Sequence, residues 1–205
     1  MQQQLLTMLT LQDSMNTKVH EQWRQQGFAW YRAIWVEAAE MLDHYGWKWW
    51  KHQQPDIEQV QLELVDIFHF GLSALLLASE DQQAIVSELE AQLQAPVKAD
   101  SFAETLELMV ANTLATKGFD VPTFAGLMQW VDMSFDDLFK HYVGKNVLNF
   151  FRQDHGYKTG EYQKIWNGQE DNEVLMAVLN RIDPEVTDFQ QQVYDQLKAA
   201  YSQVK

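Results

Sequence analysis

The sequence predicts an all-α protein, a helical bundle with its functional site between facing helices. Apolar residues recur at helical spacing along most of the 205-residue chain, and no segment shows the two-residue alternation of a β-strand. Only four Pro and nine Gly interrupt a composition rich in Leu, Ala, Gln and Glu, which favour helices. One domain over residues 1–205 is the simplest organisation for this length.

Start and stop signals place the helices along the chain. Gly27 and Gly46 are expected to end the first two, because glycine commonly follows the last turn of a helix. Ser101 and Glu104 have the spacing of a capping box, and Pro122 suits a first helical turn. The predicted helices cover residues 3–25, 28–45, 56–79, 80–94, 101–116, 122–131 and 134–154, followed, after a Gly-containing loop at 156–168, by helices from Glu170 and after Asp183-Pro184.

Charge and composition restrict the function. A formal net charge of −14 argues against a general nucleic-acid binder. So acidic a chain has few cations that could replace the counterions of a phosphate backbone. The chain has no Cys, which excludes disulfides and thiolate metal sites. The N-terminus lacks the basic flank of a signal peptide, and polar residues interrupt the apolar segment 62–78. We therefore expect a cytoplasmic protein without a membrane or nucleic-acid partner.

Two acidic pairs, Glu37-x-x-Glu40 and Glu63-x-x-Asp66, lie in apolar helical segments. Residues three apart are neighbours on a helix surface, so two such helices facing each other would offer four carboxylates. Asp66 is the only formally charged residue between Leu64 and Ser79, and an ionised Asp in so apolar a helix needs a charge partner or a metal. An acidic pair can also be an ordinary solvated helix face, and spacing alone leaves both interpretations open.

If the carboxylates converge, their chemistry favours a hard cation. Oxygen-only ligands select Mg²⁺, with Mn²⁺ as the alternative. Mg²⁺ commonly binds phosphates beside a few carboxylates, which suggests a phosphate-bearing substrate. Two such ions about 4 Å apart would activate a water and stabilise the leaving oxygen in a displacement at phosphorus.

A local basic cluster occupies residues 145–164 of this acidic chain. Lys145, Asn149 and Arg152 are spaced by four and three residues, which places them on one helix face. Tyr157 and Lys158 follow in a segment between glycines, where a backbone can approach a ligand closely. Such donors suit triphosphate oxygens, and Arg can bind two oxygens at once. A basic helix end that offsets the helix dipole is the alternative explanation.

A smaller group consists of amides and rings. Gln12 and Asn16 share one face of the first helix, and an amide can both donate to and accept from a pyrimidine edge. Trp49 could stack on a base, and His69 shares the helix face of Asp66. Each residue alone is more often structural: a surface amide, a core Trp or a core His.

The order of these motifs resembles one known family. The chain carries, between residues 12 and 172, the motifs E-x-x-E, W-K-W-W-K, E-L-V-D-I-F-H-F, K-N-x-x-N-x-x-R-Q-x-x-G-Y-K-x-G-x-Y-x-K and E-D-N. This pattern is similar to that of the dimeric, all-α dUTP diphosphatases, a branch of the all-α nucleoside triphosphate pyrophosphohydrolase superfamily. The long motif from Lys145 is its most specific part.

The resemblance implies Mg²⁺-dependent hydrolysis of dUTP to dUMP and pyrophosphate, which limits uracil incorporation into DNA, with dUDP as a second substrate. It also implies a homodimer. Glu37 would orient and deprotonate the attacking water as well as bind metal. The implied metal ligands are Glu37, Glu40, Glu63 and Asp66; the phosphate contacts are Lys145, Asn149, Arg152, Tyr157, Lys158 and Lys164; and the base and sugar contacts are Gln12, Asn16, Trp49 and His69, with Asn172 closing the site.

Three alternatives remain at this point. A sibling pyrophosphohydrolase acting on dCTP or another nucleotide would share the metal site and much of the basic motif. A ferritin-like di-iron protein is suggested by Asp66-x-x-His69, although that fold uses Glu-x-x-His on two helices. A helical interaction module would use its acids only for solubility. Residues 81–132 carry no motif of the family and are predicted only to be helical.

Overall fold

The computed structural model describes residues 1–183, 186 and 188–204, and confirms the all-α class. Helices account for most of the described chain, and the strands are two residues long. The elements are α1 Gln2–Val19, α2 Trp30–Tyr45, α3 Ile57–Ala78, α4 Gln82–Leu93, α5 Phe102–Thr116, α6 Val121–Trp130, α7 Phe135–Asp154, β1 Ile165–Trp166, β2 Gln169–Glu170, α8 Asp171–Leu179 and α9 Phe189–Tyr201, with short 3-10 helices at Trp23–Gln25 and Tyr157–Thr159.

Local capping explains why most predicted helix ends are confirmed. Gly46 follows α2 with a φ of 91°, a backbone conformation that residues with a Cβ rarely adopt. The Ser101 side chain accepts a hydrogen bond from the Glu104 backbone N–H at the start of α5, and Pro122 lies in the first turn of α6. The predicted start of the last helix, after Pro184, falls partly outside the described residues; that helix begins at Phe189.

The predicted first helix, residues 3–25, is wrong at its C-terminal end. α1 stops at Val19, the backbone at His20 is extended, and a separate 3-10 turn begins at Trp23. The Asp13 carboxylate accepts hydrogen bonds from Trp23 Nε1 at 3.2 Å and from Arg24 Nη2 at 3.0 Å. Residues ten and eleven apart on a continuous helix would be too distant for these bonds. The chain therefore folds back onto its own helix.

The predicted loop at 156–168 runs into a short β-hairpin, whose second strand lies just after it. β1 and β2 pair antiparallel across Asn167 and Gly168, which have φ values of 52° and 92°. Positive φ at both central residues defines the type I′ turn that Asn-Gly favours. The Asn-Gly pair was thus a hairpin signal in the sequence that the helical periodicity did not detect.

Residues Met1–Leu138 form one of two compact units into which the chain divides. In this unit α2 packs along α3, and α5 packs against α2 and α6, while α1 contacts α3 and α4. Phe68 of α3 stacks on Phe124 of α6 with ring centroids 5.3 Å apart, and both side chains are fully buried. α3 therefore contacts α1, α2 and α6, and α1, α2 and α3 together carry the predicted metal ligands and the residues Gln12, Asn16 and His69.

Residues Phe139–Lys205 form the second unit, which begins within α7. Its core is aromatic: Phe151 of α7 contacts Trp166 and Tyr201 edge-on, with ring centroids 5.7 and 5.4 Å apart. Tyr162 stacks on Tyr201 at 5.4 Å. Such ring pairs contribute directional packing beyond their buried area. They fix the segment after α7 against α9.

The helix α3 is long and apolar enough to cross a membrane, judged by length and composition alone. However, 67% of its most apolar window is buried inside the structure. The sequence prediction of a buried helix for residues 62–78 is therefore confirmed.

Candidate functional site

Three of the four predicted metal ligands converge in the first unit. One carboxylate oxygen from each of Glu37, Glu63 and Asp66 lies within 4.8 Å of the others. Glu37 is on α2, whereas Glu63 and Asp66 are one turn apart on α3. Because α2 packs along α3 and residues three apart share a helix face, the packing of two amphipathic helices is enough to create this acidic group.

The donor set of the acidic group fits a hard divalent cation. Three carboxylates at this distance repel one another, and Glu63 is buried, where solvent screens the repulsion least. A cation with oxygen preference, such as Mg²⁺ or Mn²⁺, removes that repulsion. Glu37 and Asp66 are partly exposed, so the group can be reached from solvent.

Glu40, the fourth predicted ligand, is exposed and lies outside the acidic group. It follows Glu37 by one turn of α2, and a ligand role for it stays a prediction. A neighbour that the sequence argument did not name is His44, whose Nε2 lies 3.7 Å from Glu63 Oε1. That distance is compatible with a weak ion pair when the imidazole is protonated.

The predicted base and sugar residues Gln12, Asn16 and His69 come together in the same unit, joined by Ser73. Gln12 Nε2 donates to Asn16 Oδ1 at 3.0 Å and to Ser73 Oγ at 2.9 Å. Asn16 Nδ2 donates to Ser73 Oγ at 3.0 Å, and Gln12 Oε1 lies 2.7 Å from His69 Nδ1. All four side chains are buried. We call this set the amide cluster.

Trp49 is not part of the amide cluster. Its side chain is 89% exposed and meets Trp50 edge-on at 5.5 Å, and Trp50 in turn contacts Trp47. A ring this exposed is available for stacking, and a contact between Trp49 and a base stays a prediction.

In the second unit, the predicted phosphate residues Lys145, Asn149 and Arg152 form a hydrogen-bonded network with Asn172. Lys145 Nζ and Arg152 Nη2 both donate to Asn172 Oδ1, at 2.9 and 3.2 Å. Arg152 Nη1 donates to Asn149 Oδ1 at 3.1 Å. The lysine is buried despite its charge. We call this set, with Asp171, the basic network.

Asp171 is the member of the basic network that the sequence argument missed. Its carboxylate accepts a bidentate pair of hydrogen bonds from Arg152 Nε and Nη2, at 2.8 and 2.9 Å, and a third from the Tyr162 hydroxyl at 2.7 Å. Asp171 is fully buried. Arg152 therefore makes its bidentate hydrogen bonds to Asp171, and a phosphate would have to bind another edge of the guanidinium.

Three predicted phosphate residues lie on the segment after α7. Tyr157 and Lys158 are exposed in the 3-10 turn between Gly156 and Gly160, and Arg152 lies 5.9 Å from the centroid of the Tyr157 ring. Lys164 Nζ lies 3.4 Å from Glu170 Oε2, in a pair that is half exposed. Lys164 is also linked to the basic network through its backbone, because its carbonyl oxygen accepts from the Asp171 N–H at 3.0 Å.

The charge of Asp171 depends on opposing effects. Burial alone would raise the pKa of its carboxyl, but the Arg152 hydrogen bonds and charge, together with the Tyr162 hydroxyl, outweigh burial and lower the pKa below its usual value. Burial and the adjacent Asp171 carboxylate raise the pKa of Tyr162. At neutral pH Asp171 is therefore ionised and Tyr162 is a neutral phenol, beside the formally cationic Lys145 and Arg152.

The lowered pKa of Asp171 predicts how stability depends on pH. The stabilisation that the ionised carboxyl provides is present above the unfolded-state pKa, about 3.9, and is lost as pH falls through the lower folded-state pKa. We expect the free energy of unfolding of the wild type to drop on acidification through this range, and that of Asp171→Asn to drop less. Urea unfolding at a series of pH values measures both; parallel curves would contradict the assignment.

Comparison with protein families agrees with this geometry. A family model described as dUTPase matches residues 4–157, three-quarters of the chain. The chain belongs to the all-α dUTPase family. No curated protein sequence matches it significantly. The matched region of this dUTPase contains the acidic group, the amide cluster and the α7 residues of the basic network, while Lys158, Lys164, Asp171 and Asn172 lie beyond it.

Family membership makes the chain a hydrolase of phosphoric anhydrides that acts on dUTP. The ferritin-like alternative and the interaction-module alternative are thereby excluded. The structure agrees, because His69 bonds to Gln12 instead of joining the carboxylates of the acidic group. The dUTPase assignment explains the convergence of carboxylates, which a solvated helix face would not require.

Proposed function

We propose that this dUTPase hydrolyses dUTP to dUMP and pyrophosphate with Mg²⁺ held by Glu37, Glu63 and Asp66, and with Mn²⁺ as a substitute. The observation that carries this proposal is the convergence of three carboxylates within 4.8 Å on two packed helices of a dUTPase chain. Glu40, one turn along α2, is proposed as a fourth ligand that joins when a cation is bound. Oxygen donors alone favour these two ions over softer metals.

The bound cation would neutralise phosphate charge and polarise the attacking water. The side chains have separate tasks. Glu37 orients the water and accepts its proton, for which its partial exposure on α2 suits it. Glu63 and Asp66 serve as ligands on a rigid helix, so their positions change little between the free and bound protein. Phosphate chemistry of this kind depends mainly on positioning and charge neutralisation.

The basic network is proposed to bind the phosphate groups of the nucleotide. Its two cations exceed its one carboxylate, which suits an anion. Asp171 fixes Arg152 through two hydrogen bonds, and Asn172 holds Lys145, so these donors are ordered before a ligand arrives. The remaining proposed phosphate contacts, on or after the last turn of α7, are Asn149, Tyr157, Lys158 and Lys164.

The amide cluster is proposed to recognise uracil. Gln12 and Asn16 present carboxamides from α1, and His69 supports Gln12 from α3, close to the proposed sugar position. The exposed ring of Trp49 would cover the base by stacking. The proposal has further parts. We propose that the protein also uses dUDP and limits uracil incorporation into DNA. We also propose that it is a cytoplasmic homodimer with a single functional domain over residues 1–205.

A nucleotide panel tests the proposed function. Purified protein is incubated with dUTP, dUDP, dCTP or dTTP in the presence of Mg²⁺, Mn²⁺ or EDTA, and the released pyrophosphate or phosphate is quantified. We expect dUTP to give the highest kcat/KM, dUDP to be cleaved more slowly, and EDTA to abolish turnover. Equal cleavage of dCTP would point to the sibling enzyme, and turnover in EDTA would contradict a metal-dependent reaction.

A further inference from the structure

One buried hydroxyl, that of Ser73, contacts the nitrogen ends of both carboxamides in the amide cluster. Ser73 lies on α3, one turn beyond His69, and its side chain is fully buried. A hydroxyl offers one hydrogen and two lone pairs. Ser73 Oγ accepts from Gln12 Nε2 and Asn16 Nδ2 at 2.9 and 3.0 Å. Two acceptors lie near its own hydrogen, the His69 backbone carbonyl at 3.0 Å and Asn16 Oδ1 at 3.4 Å, and the shorter contact is the one to the carbonyl.

These bonds decide which way each carboxamide faces. The oxygen and nitrogen ends of an amide have nearly the same shape, so only the hydrogen-bond partners distinguish the two orientations. The hydroxyl has one hydrogen, and the shorter of its two acceptor contacts is the His69 carbonyl, so Ser73 Oγ meets each amide nitrogen as an acceptor. Both nitrogen ends therefore face Ser73, and the oxygen of Gln12 faces His69 Nδ1, which must then carry the ring hydrogen.

The orientation of Asn16 has a consequence for base choice. Its Oδ1 accepts from Gln12, and one Nδ2 hydrogen goes to Ser73. Among the residues that the structure describes, no acceptor takes the second Nδ2 hydrogen of Asn16. Under the proposed function, in which Asn16 contacts the base, this hydrogen is the donor that Asn16 offers to it. Uracil has a carbonyl oxygen at C4, where cytosine has an amino group. A hydrogen-bond donor that faces C4 would therefore favour uracil and disfavour cytosine.

We infer that Ser73 is a specificity-determining positioning residue, which selects uracil over cytosine by holding the Asn16 and Gln12 carboxamides in one orientation. The inference rests on the proposed function, in which these amides contact the base. Ser73 need not touch the nucleotide. Without its hydroxyl the two amide nitrogens lose their common acceptor, and either carboxamide can rotate to offer its oxygen, which suits the amino group of cytosine.

The test compares kcat/KM for dUTP and for dCTP in the wild type and in Ser73→Ala. We expect the ratio of kcat/KM for dUTP to kcat/KM for dCTP to fall about tenfold or more. The change should come mainly from KM, because freely rotating carboxamides can bind cytosine without leaving a hydrogen bond unmade. Ser87→Ala on α4 is the matched control, because it removes a similar bond from a serine hydroxyl to the carbonyl four residues earlier, at 2.9 Å, without any amide partner.

Two further variants keep the inference falsifiable if Ser73→Ala does not fold. Ser73→Cys is close in size but hydrogen-bonds weakly, and should lower the ratio in the same way. Ser73→Thr retains the hydroxyl and should keep the ratio near the wild-type value. An unchanged ratio in folded Ser73→Ala or Ser73→Cys would overturn the inference while leaving dUTP hydrolysis intact. A wild type without preference for dUTP would instead overturn the proposed function itself.

Discussion

Replacing Glu37 by Gln is expected to lower the turnover of dUTP by about 10²–10⁴-fold, the range typical of a lost general base. The amide of Gln keeps the size of the side chain but cannot accept a proton from water. Its oxygen is also a weaker ligand for a divalent cation. The basic network and the amide cluster are unchanged, so nucleotide binding should be largely retained. Steady-state kinetics and calorimetric titration with a non-hydrolysable dUTP analogue measure the two effects separately.

Glu40→Gln is the matched control for Glu37→Gln. It makes the same chemical change one turn along α2, at an exposed carboxylate outside the acidic group. We expect a smaller loss of turnover than in Glu37→Gln, with a shift toward higher Mg²⁺ requirement if Glu40 completes the ligand set. Near-wild-type turnover in Glu37→Gln would show that another group accepts the proton.

Replacing Asp171 by Ala is expected to destabilise the folded chain by about 3–5 kcal/mol, the usual cost of removing one partner from a buried ion pair. Asp171 is fully buried, and the side chain of Arg152 is only 12% exposed. The variant leaves this cation without its carboxylate and removes the acceptor of the Tyr162 hydroxyl. Nucleotide affinity should fall as well, because Arg152 is no longer held in place. Urea unfolding followed by tryptophan fluorescence measures the stability.

Asp13→Ala provides a control for the Asp171 variant. Asp13 also pairs with an arginine, Arg24, at 3.0 Å, but the two side chains are 36% and 32% exposed. Solvent screens this pair, and the variant also removes the hydrogen bond from Trp23 Nε1, so we expect a cost of about 1–2 kcal/mol, less than for Asp171→Ala. Equal destabilisation by the two variants would contradict the view that burial makes the Arg152–Asp171 pair important.

The parts of the fold that local patterns control were predictable from the sequence. Gly46, the Ser101 cap and Pro122 act within one helical turn, and the corresponding helix ends are confirmed. The i, i+3 spacing of Glu63 and Asp66 placed both on one face of α3, which is also local geometry. Such features require no knowledge of distant contacts.

The remainder depended on contacts between distant residues. The end of α1 is set by Asp13 bonding to Trp23 and Arg24 across a reversal of the chain, and periodicity cannot detect such a reversal. Spacing fixes the helix face of Glu40 but not the direction of its side chain. Asp171 sits beside Asn172 in a motif that was recognised, yet only the structure shows its burial against Arg152. The Asn167-Gly168 turn was the one local signal that was overlooked.

The proposed dUTP hydrolysis depends above all on the binding of a divalent cation by Glu37, Glu63 and Asp66. The most direct measurement is a titration of the nucleotide-free protein with Mn²⁺, followed by the loss of the free-ion electron paramagnetic resonance signal and reversed by adding Mg²⁺. We expect saturable binding in the wild type that Glu63→Gln and Asp66→Asn each weaken strongly, while Asp13→Ala leaves it unchanged. A wild type that leaves the Mn²⁺ signal undiminished, or acidic-group variants that bind as the wild type does, would contradict it.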